Sequence, residues 1–300
     1  MVKSMTQSTK PVRHRSVAQW PFENGGAVLE AQSPQRDALF RLDATEIINR
    51  LRLHGVVLFR SFRPDLSAFE QFTALLGTSD PARHPSLHGR TRDVFTGRKA
   101  LSPHSELAYT PWPPDLLWLY CVQPAAADGR TTIYDGVEFL KQMPESLRLM
   151  FETRRLKYSQ VFSPHGWSGW YGRSREELSV LFDEWGVDYR FNEANCLFTE
   201  YCTSAIRTTK FGGQPAFVNS VIHALDHPEF YGLTFEDGLP IPPDVAAELR
   251  AMADRIVEHV SWTTAGDFVV IDNTRWMHGR EAYEDPGRLI RALHAMAAFT

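Results

Sequence analysis

The sequence has few cysteines, no long apolar run and no excess of positive charge. Cys121, Cys196 and Cys202 lack the paired spacings of a zinc knuckle or a disulfide framework, so we expect a reduced, cytoplasmic protein. No stretch approaches the ~20 consecutive apolar residues that cross a bilayer. The 32 basic and 36 acidic residues are interspersed and offer no basic field to a nucleic-acid backbone. We therefore predict neither a nucleic-acid nor a membrane partner.

The composition is sufficient for one large globular domain, because 43% of the 300 residues are hydrophobic and 12% are aromatic. Residues 1–19 are rich in Lys, Arg, Ser, Thr and Gln, which predicts a flexible N-terminal tail before a single domain over 20–300. No glycine fingerprint follows a strand, and strands do not alternate regularly with helices as in a doubly wound fold. A β-rich α+β core with helices packed outside fits better.

Helical and strand patterns recur irregularly along the chain. Apolar spacing predicts helices over 43–53, 66–76, 136–150, 175–185 and 242–260. Apolar runs predict strands over 56–59, 115–122, 131–134, 266–272 and 288–299, of which 115–122 suits a strand covered on both faces. The connection over 79–102 is a candidate active-site wall. Residues 162–171 (FSPHGWSGWY) mix Gly, Pro and aromatics, which predicts an aromatic loop in an insertion over about 160–240.

The triplet His104-Ser105-Glu106 is the first candidate metal site. In an extended segment, residues two apart point to the same face, so the imidazole and the carboxylate can reach one metal. With 11 histidines and 36 acidic residues, roughly 1.3 such triplets are expected by chance, and His227-Pro228-Glu229 is a second one. His223 and His227 would share a helix face, but no third zinc ligand is apparent, so a turn or a pocket wall is favoured over a separate zinc site.

Further signals lie near the C terminus. His278 follows the predicted strand over 266–272, and Arg288 and Arg291 come ten and thirteen residues after it. Two histidines and one carboxylate that leave coordination positions open are typical of non-heme iron oxygenases. A nearby guanidinium supplies a fixed fork for the distal carboxylate of a diacid cosubstrate.

The segments HSELAYTPWPPDLLWLYCVQPAAADGRTTIYDG and GDFVVIDNTRWMHGREAYEDPGRLIRAL resemble the taurine dioxygenase and clavaminate synthase-like superfamily. The resemblance extends from about Val56 to the end of the chain. It implies a double-stranded β-helix, or jelly roll, that uses iron(II), 2-oxoglutarate and O2. It also implies that His104, Glu106 and His278 bind the iron.

The same resemblance implies which residues hold 2-oxoglutarate. The family's Gly-Gly-acid-Thr turn appears as Asp128-Gly129-Arg130-Thr131, so Thr131 looks like the assisting hydroxyl and Arg288 like the carboxylate partner. The family often has a second arginine four positions after the first. Here Arg291 comes after three, which puts it on the opposite strand face unless a bulge intervenes.

Four further side chains are candidate substrate contacts. Arg280 could meet a substrate carboxylate or form an ion pair beside the metal ligands. Asn219 could orient substrate or close a turn. Trp167 and Trp170 could form a lid over an apolar or planar substrate or belong to an accessory core.

The reaction implied by the resemblance couples conversion of 2-oxoglutarate to succinate and CO2 with oxidation of an unactivated carbon. Hydroxylation is the default outcome, and desaturation or cyclisation are variants. We expect a small-molecule substrate: an amino acid or an amino-acid-derived natural-product intermediate, free or tethered to a carrier protein. Two alternatives remain: a non-catalytic ligand-binding protein of the same fold, and a zinc-dependent hydrolase that uses the same ligands.

Overall fold

The computed structural model describes residues 16–17, 26–31, 36–78, 91–94 and 97–299. Within these residues the chain forms a short 3-10 helix over Arg36–Arg41 and eight α-helices. The α-helices are α1 (Ala44–His54), α2 (Leu66–Thr73), α3 (Gly136–Gln142), α4 (Glu145–Thr153), α5 (Pro164–Tyr171), α6 (Arg175–Trp185), α7 (Val221–Asp226) and α8 (Pro243–Ile256).

The described strands form two main sheets, an accessory sheet and a hairpin. In spatial order, the larger sheet contains β1 (Ser16–Val17), β2 (Ala27–Glu30), β3 (Val56–Arg60), β16 (Phe268–Asp272), β7 (Leu116–Gln123), β18 (Leu289–Ala297) and β4 (Gly77–Thr78), while β5 (Arg92–Asp93) also pairs with β18. The smaller sheet contains β15 (Glu258–Val260), β8 (Thr131–Asp135), β17 (Trp276–Arg280) and β6 (Leu101–His104). The accessory sheet contains β10 (Asp188–Phe191), β11 (Leu197–Thr203), β9 (Leu156–Phe162) and β14 (Gly232–Phe235), and the hairpin pairs β12 (Ile206–Thr208) with β13 (Pro215–Phe217).

The two main sheets bury one apolar layer between them. Leu117 and Leu119 of β7 and Val269 of β16 contribute from the larger sheet, and Ile133 of β8 and Trp276 of β17 contribute from the smaller one. Alternate residues of a strand point to opposite faces, so every second residue of these strands enters this layer. The layer fixes the distance between the sheets, and a cavity opens beside it.

The other face of the larger sheet is covered by helices. Ile47 and Leu51 of α1 and Phe72 of α2 pack with Phe59 and Trp118 of the sheet. Strands of the larger sheet are therefore buried on both faces, which explains why their sequences are almost continuously apolar. The prediction that residues 115–122 form a strand covered on both faces is confirmed.

Residues 162–171 correct one prediction, because they do not form a loop. Residues 164–171 form α5. The Ser163 hydroxyl accepts a hydrogen bond from the Gly166 N–H at 3.1 Å, Pro164 occupies the first turn, and Gly172 ends the helix with a φ of 60°. Proline at the first helical position signals the start of a helix, and glycine just past the last position signals its end.

The predicted helix over 136–150 was also wrong in one respect. The chain forms α3 and α4, which are separated by Met143 and Pro144. A residue before proline is disfavoured in helical geometry, and Met143 is extended with a φ of −70° and a ψ of 130°. Both short helices still bury residues in the same core.

Part of the predicted tail over 1–19 lies outside the described residues, which include only Ser16 and Val17 of it, paired with β2. In the part of the chain that the structure describes, no helix has the length and apolar character needed to cross a bilayer. Residues 79–90 and 95–96 of the candidate wall also lie outside the described residues.

Asp267 provides a test of what holds the larger sheet together. This carboxylate is 1% exposed and lies 2.7 Å from Nη1 of Arg60, which joins the start of β16 to the end of β3. We expect Asp267→Asn to lower the free energy of unfolding by about 3 kcal/mol, because it leaves a largely buried guanidinium without its charge partner. The control Glu46→Gln removes an exposed ion pair with Arg50 and should cost less than about 0.5 kcal/mol. Equal losses in urea unfolding would contradict this account.

Candidate active site

Three side chains from distant parts of the sequence meet at one edge of the smaller sheet. His104 ends β6 and lies directly opposite His278 of β17 in the antiparallel register, with ring centroids 4.2 Å apart. Glu106 follows two residues later, and its Oε2 lies 3.6 Å from Nε2 of His278. One nitrogen or oxygen atom from each side chain lies within 4.8 Å of the other two. The predicted triad is therefore brought together in space.

Asn273 holds the backbone of Glu106 in this position. Its Oδ1 accepts a hydrogen bond from the Glu106 N–H at 2.8 Å, and its Nδ2 donates to the Glu106 carbonyl at 3.1 Å. Asn273 is 2% exposed and follows β16 directly. One side chain thus links the turn after β6 to the turn before β17. Our sequence reasoning missed this role, and the only available signal was an amide immediately after a buried strand.

Ser105, between the two predicted ligands, is held from the opposite side. Its N–H donates to the Asn219 carbonyl at 2.9 Å, and its carbonyl accepts from the Ser220 hydroxyl at 3.0 Å. The Asn219 amide donates to Ala205 O and accepts from Val221 N. Asn219 does not line the cavity, so it closes the turn before α7 and supports the triplet through its backbone.

The chemical state of the imidazoles suits a divalent metal. Nδ1 of His104 lies 2.9 Å from the Ser102 carbonyl, which can only accept, so this nitrogen carries the proton and Nε2 keeps its lone pair. Burial lowers the pKa of His104, and burial together with the neighbouring histidines lowers the pKa of His278 further. Both rings are therefore neutral at pH 7, which is the form that binds metal. Two neutral imidazoles and one carboxylate fit iron(II).

Gly279 permits the close approach of β6 and β17. A Cβ atom at this position would lie 2.4 Å from the Leu101 carbonyl and 2.8 Å from the Thr132 hydroxyl. The pairing of the two strands also shifts register between His278 and Arg280. A side chain at 279 would therefore push apart the strands that carry the two histidines.

The triad lies in a cavity of about 470 Å³ between the two main sheets. At one end Thr131 is 3% exposed, and its hydroxyl oxygen accepts from the Trp262 indole N–H at 3.1 Å. Because an indole only donates, the Thr131 proton remains available for a ligand in the cavity. The sequence prediction placed Thr131 beside the cosubstrate, and the structure places it on the cavity wall.

Arg288 lies at the same end and is 8% exposed. Its Nε donates to the Gly129 carbonyl at 2.8 Å, and its guanidinium carbon lies 4.9 Å from the centre of the Tyr283 ring. Asp128 and Gly129 have φ values of 57° and 66°, and a Cβ atom at 129 would lie 2.9 Å from the Arg288 side chain. The turn therefore needs glycine at this position to receive the arginine.

Arg280 and Arg291 occupy different environments. Arg280 lines the cavity and donates to the carbonyls of Lys99, at 2.8 Å, and Gly97. Burial and the charge of Arg280 lower the pKa of Arg288, so both guanidiniums belong to one end of the cavity. Arg291 does not line the cavity and instead pairs with Asp93 at 2.9 Å.

The opposite end of the cavity is lined by aromatic rings. Tyr109 and Tyr231 have ring centroids 4.8 Å apart, and Phe230 and Trp170 stand at the mouth with 57% and 38% of their surfaces exposed. Trp167 is 7% exposed, donates to a backbone carbonyl and packs in the core of the accessory sheet. Only Trp170 of the two candidate tryptophans therefore reaches the cavity.

His223 and His227 also line this end. Their ring centroids are 4.6 Å apart, and His223 lies the same distance from His104. Among the described residues, the only group of three or more potential metal ligands is the triad, so the pair finds no third ligand. The interpretation of this pair as a pocket wall agrees with its position.

Gly279 gives a test of the strand spacing. We expect Gly279→Ala to weaken Mn(II) binding at least about tenfold, because it displaces the histidine-bearing strands from each other. Gly169→Ala is a matched control, since a Cβ atom there meets nothing within 4 Å. Anaerobic titration calorimetry gives both affinities, and circular dichroism verifies the fold. Equal affinities in the two variants would show that the spacing is irrelevant.

Comparison with known families gives a match to the family described as "Taurine catabolism dioxygenase TauD, TfdA family" over residues 23–296. A comparison with curated proteins found no match.

Several solved structures are similar to this chain. PvcB from Pseudomonas aeruginosa is 18% identical, with a TM-score of 0.59 over 98% of this chain and 95% of that one. AAD-2, solved with Mn(II) and N-oxalylglycine, is 15% identical, with a TM-score of 0.59 over 91% and 94%. A taurine dioxygenase from Burkholderia xenovorans is 18% identical, with a TM-score of 0.56 over 91% and 85%. At these identities the structures show a shared fold. The match over 23–296 shows that the chain belongs to the TauD, TfdA family of dioxygenases.

Proposed function

We propose that this dioxygenase depends on iron(II) and 2-oxoglutarate, and that His104, Glu106 and His278 hold the iron. The observation that carries the proposal is the convergence of these three side chains in a cavity whose far end holds Thr131 and Arg288. A second PvcB structure is described as an Fe, alpha-ketoglutarate dependent oxygenase from an isonitrile synthetic pathway, which supports the same cofactors here.

We also propose that the two main sheets are the halves of a double-stranded β-helix in a single domain over 20–300. Antiparallel strands of both sheets surround the cavity, and the triad stands at the edge of the smaller sheet. The accessory sheet, which starts at β9 and ends at β14, corresponds to the predicted insertion over about 160–240. The insertion contributes α5 and the cavity mouth.

The bound iron would supply activation of O2, with 2-oxoglutarate as the source of two electrons, so that 2-oxoglutarate, O2 and a C–H bond give succinate, CO2 and a C–OH bond. The Arg288 guanidinium offers a fork that suits the distal carboxylate of 2-oxoglutarate. The Thr131 hydroxyl, whose oxygen already accepts from Trp262, would donate to the same carboxylate. Arg280 adds a second positive charge at this end rather than at the substrate end.

We propose that the substrate is a small molecule that enters past Trp170 and Phe230 and lies against the aromatic end of the cavity. Large exposed aromatic side chains at a cavity mouth are suited to covering a bound ligand. An amino acid or an amino-acid-derived intermediate, free or on a carrier protein, is compatible with an open mouth. Hydroxylation is the proposed outcome, and desaturation or cyclisation use the same arrangement of residues.

A zinc hydrolase with the same three ligands is the second candidate that the sequence raised. It requires only a metal-bound water and a polarised carbonyl. It gives no role to a buried Arg288 and a donating Thr131 directed into the same cavity. The oxygenase accounts for both, so it is the function that the site supports best.

The triad is tested by Glu106→Ala and His278→Ala. Each variant should lose the weak visible absorption band of the iron(II) and 2-oxoglutarate complex under anaerobic conditions, and should form succinate at least about 100-fold more slowly. The loss follows because two ligands hold the metal too weakly for chelation by the cosubstrate. His165→Ala, on an exposed part of α5, is the control and should retain both signals. A persistent band in Glu106→Ala would refute the ligand assignment.

The two arginines give a separate prediction. Arg288→Ala should raise the concentration of 2-oxoglutarate needed for half-maximal turnover at least about tenfold, since it removes a charge-assisted hydrogen bond of about 1.5–3 kcal/mol. Arg291→Ala should change it less than about twofold, because Arg291 does not line the cavity and its guanidinium pairs with Asp93. Steady-state kinetics with varied cosubstrate measure both values. The reverse ranking would mean that Arg291 binds the cosubstrate.

A further inference from the structure

We infer that His294, oriented by Arg92, is a positioning residue that fixes the carboxylate of Glu106 for metal binding through one oxygen. The inference rests on the proposed function, because it concerns the metal ligand Glu106. Neither residue was among the candidates from sequence. His294 belongs to β18, and Arg92 belongs to β5.

His294 approaches Glu106 from the larger sheet, opposite to the side from which the triad histidines approach. It is 6% exposed, and its Nε2 lies 3.4 Å from Oε1 of Glu106. The other carboxylate oxygen, Oε2, lies 3.6 Å from Nε2 of His278. Each oxygen of Glu106 therefore faces a different imidazole.

The contact with Arg92 determines which nitrogen of His294 carries the proton. Nη2 of Arg92 lies 2.9 Å from Nδ1 of His294. A guanidinium can only donate, so Nδ1 must accept and the ring proton lies on Nε2. The Nε2–H therefore lies on the side of the ring that faces Oε1 of Glu106, with 3.4 Å between the two heavy atoms. The same reasoning excludes Nε2 of His294 as a metal ligand, because it has no free lone pair.

Strand pairing places Arg92 where it can do this. β5 pairs with β18 through Arg92 opposite Ala292 and Asp93 opposite Arg291. The ion pair between Arg291 and Asp93, at 2.9 Å, also joins these two strands. Arg291, which does not line the cavity, thereby helps to hold β5 beside β18, and Arg92 lines the cavity.

A hydrogen bond from this N–H to Oε1, which the proposal requires when Glu106 holds a metal, would have a specific consequence for the site. It would restrict rotation of the carboxylate and leave Oε2 as the oxygen that faces His278, so that Glu106 would hold a metal through one oxygen rather than two. A cosubstrate that chelates through two atoms, together with O2, requires three open positions beside the three protein ligands. Partners that orient a metal ligand in this way typically change metal affinity 10–100-fold when they are removed.

The test compares His294→Gln with His294→Asn. The Gln amide extends to the position of Nε2 and can donate to Glu106, whereas the Asn amide extends only to the position of Nδ1 and can accept from Arg92. Both variants are polar and of similar volume, so a role in packing alone would affect them equally. Anaerobic titration calorimetry with Mn(II) alone measures the affinity, His165→Gln is the surface control, and thermal unfolding verifies that each variant is folded.

We expect His294→Gln to bind Mn(II) within about threefold of the unsubstituted protein and His294→Asn to bind at least about tenfold more weakly. Equal affinities in the two variants, whether both retained or both lost, or a stronger effect of Gln, would overturn the inference. His278→Ala is measured alongside. If His278→Ala retains Mn(II) binding, the proposed metal site itself fails; if it loses binding while the two His294 variants are equal, only the role of His294 fails.

Discussion

The antiparallel register between β6 and β17 is the constraint on which the site depends. It places His104 opposite His278, and the absence of a side chain at Gly279 lets the strands come close enough for their rings to meet. A shift by one residue would turn one imidazole to the other face of the sheet. Asn273 then positions Glu106, the third proposed ligand, by binding its backbone, so main-chain contacts set the geometry of the triad.

Burial gives the cavity two chemically different ends. Near the triad, burial lowers the pKa of the histidines and keeps them neutral. At the far end, Arg280 and Arg288 remain cationic but are desolvated and held by backbone carbonyls and the Tyr283 ring. Because these charges are already desolvated and held in place by the protein, they can attract an anionic ligand without further rearrangement. The mouth carries aromatic rings instead, which in the proposed function would separate recognition of the cosubstrate from recognition of the substrate.

The sequence predicted that His104, Glu106 and His278 belong to one site and that Thr131 and Arg288 bind the cosubstrate, because these residues lie in segments that resemble a known family. The structure brings the three side chains together and places Thr131 and Arg288 on the wall of the same cavity. The sequence did not determine which face of the strand carries Arg291. That face depends on whether a β-bulge lies between Arg288 and Arg291, and a bulge depends on the pairing with the neighbouring strand. The sequence also did not reveal His294, which contacts Glu106 only because two sheets pack together. The helix over 164–171 was not predicted, because its glycines and aromatic residues are typical of a loop. The signals for a helix were the Ser163 cap, Pro164 in the first turn and Gly172 after the last turn.

The most direct test of the account is a crystal structure of the protein grown anaerobically with Mn(II) and N-oxalylglycine, an unreactive analogue of 2-oxoglutarate. The account predicts one metal ion bound by His104, Glu106 and His278, with the distal carboxylate of the analogue against Arg288 and Thr131. A metal bound instead by His223 and His227, or an analogue carboxylate that contacts neither Arg288 nor Thr131, would contradict it.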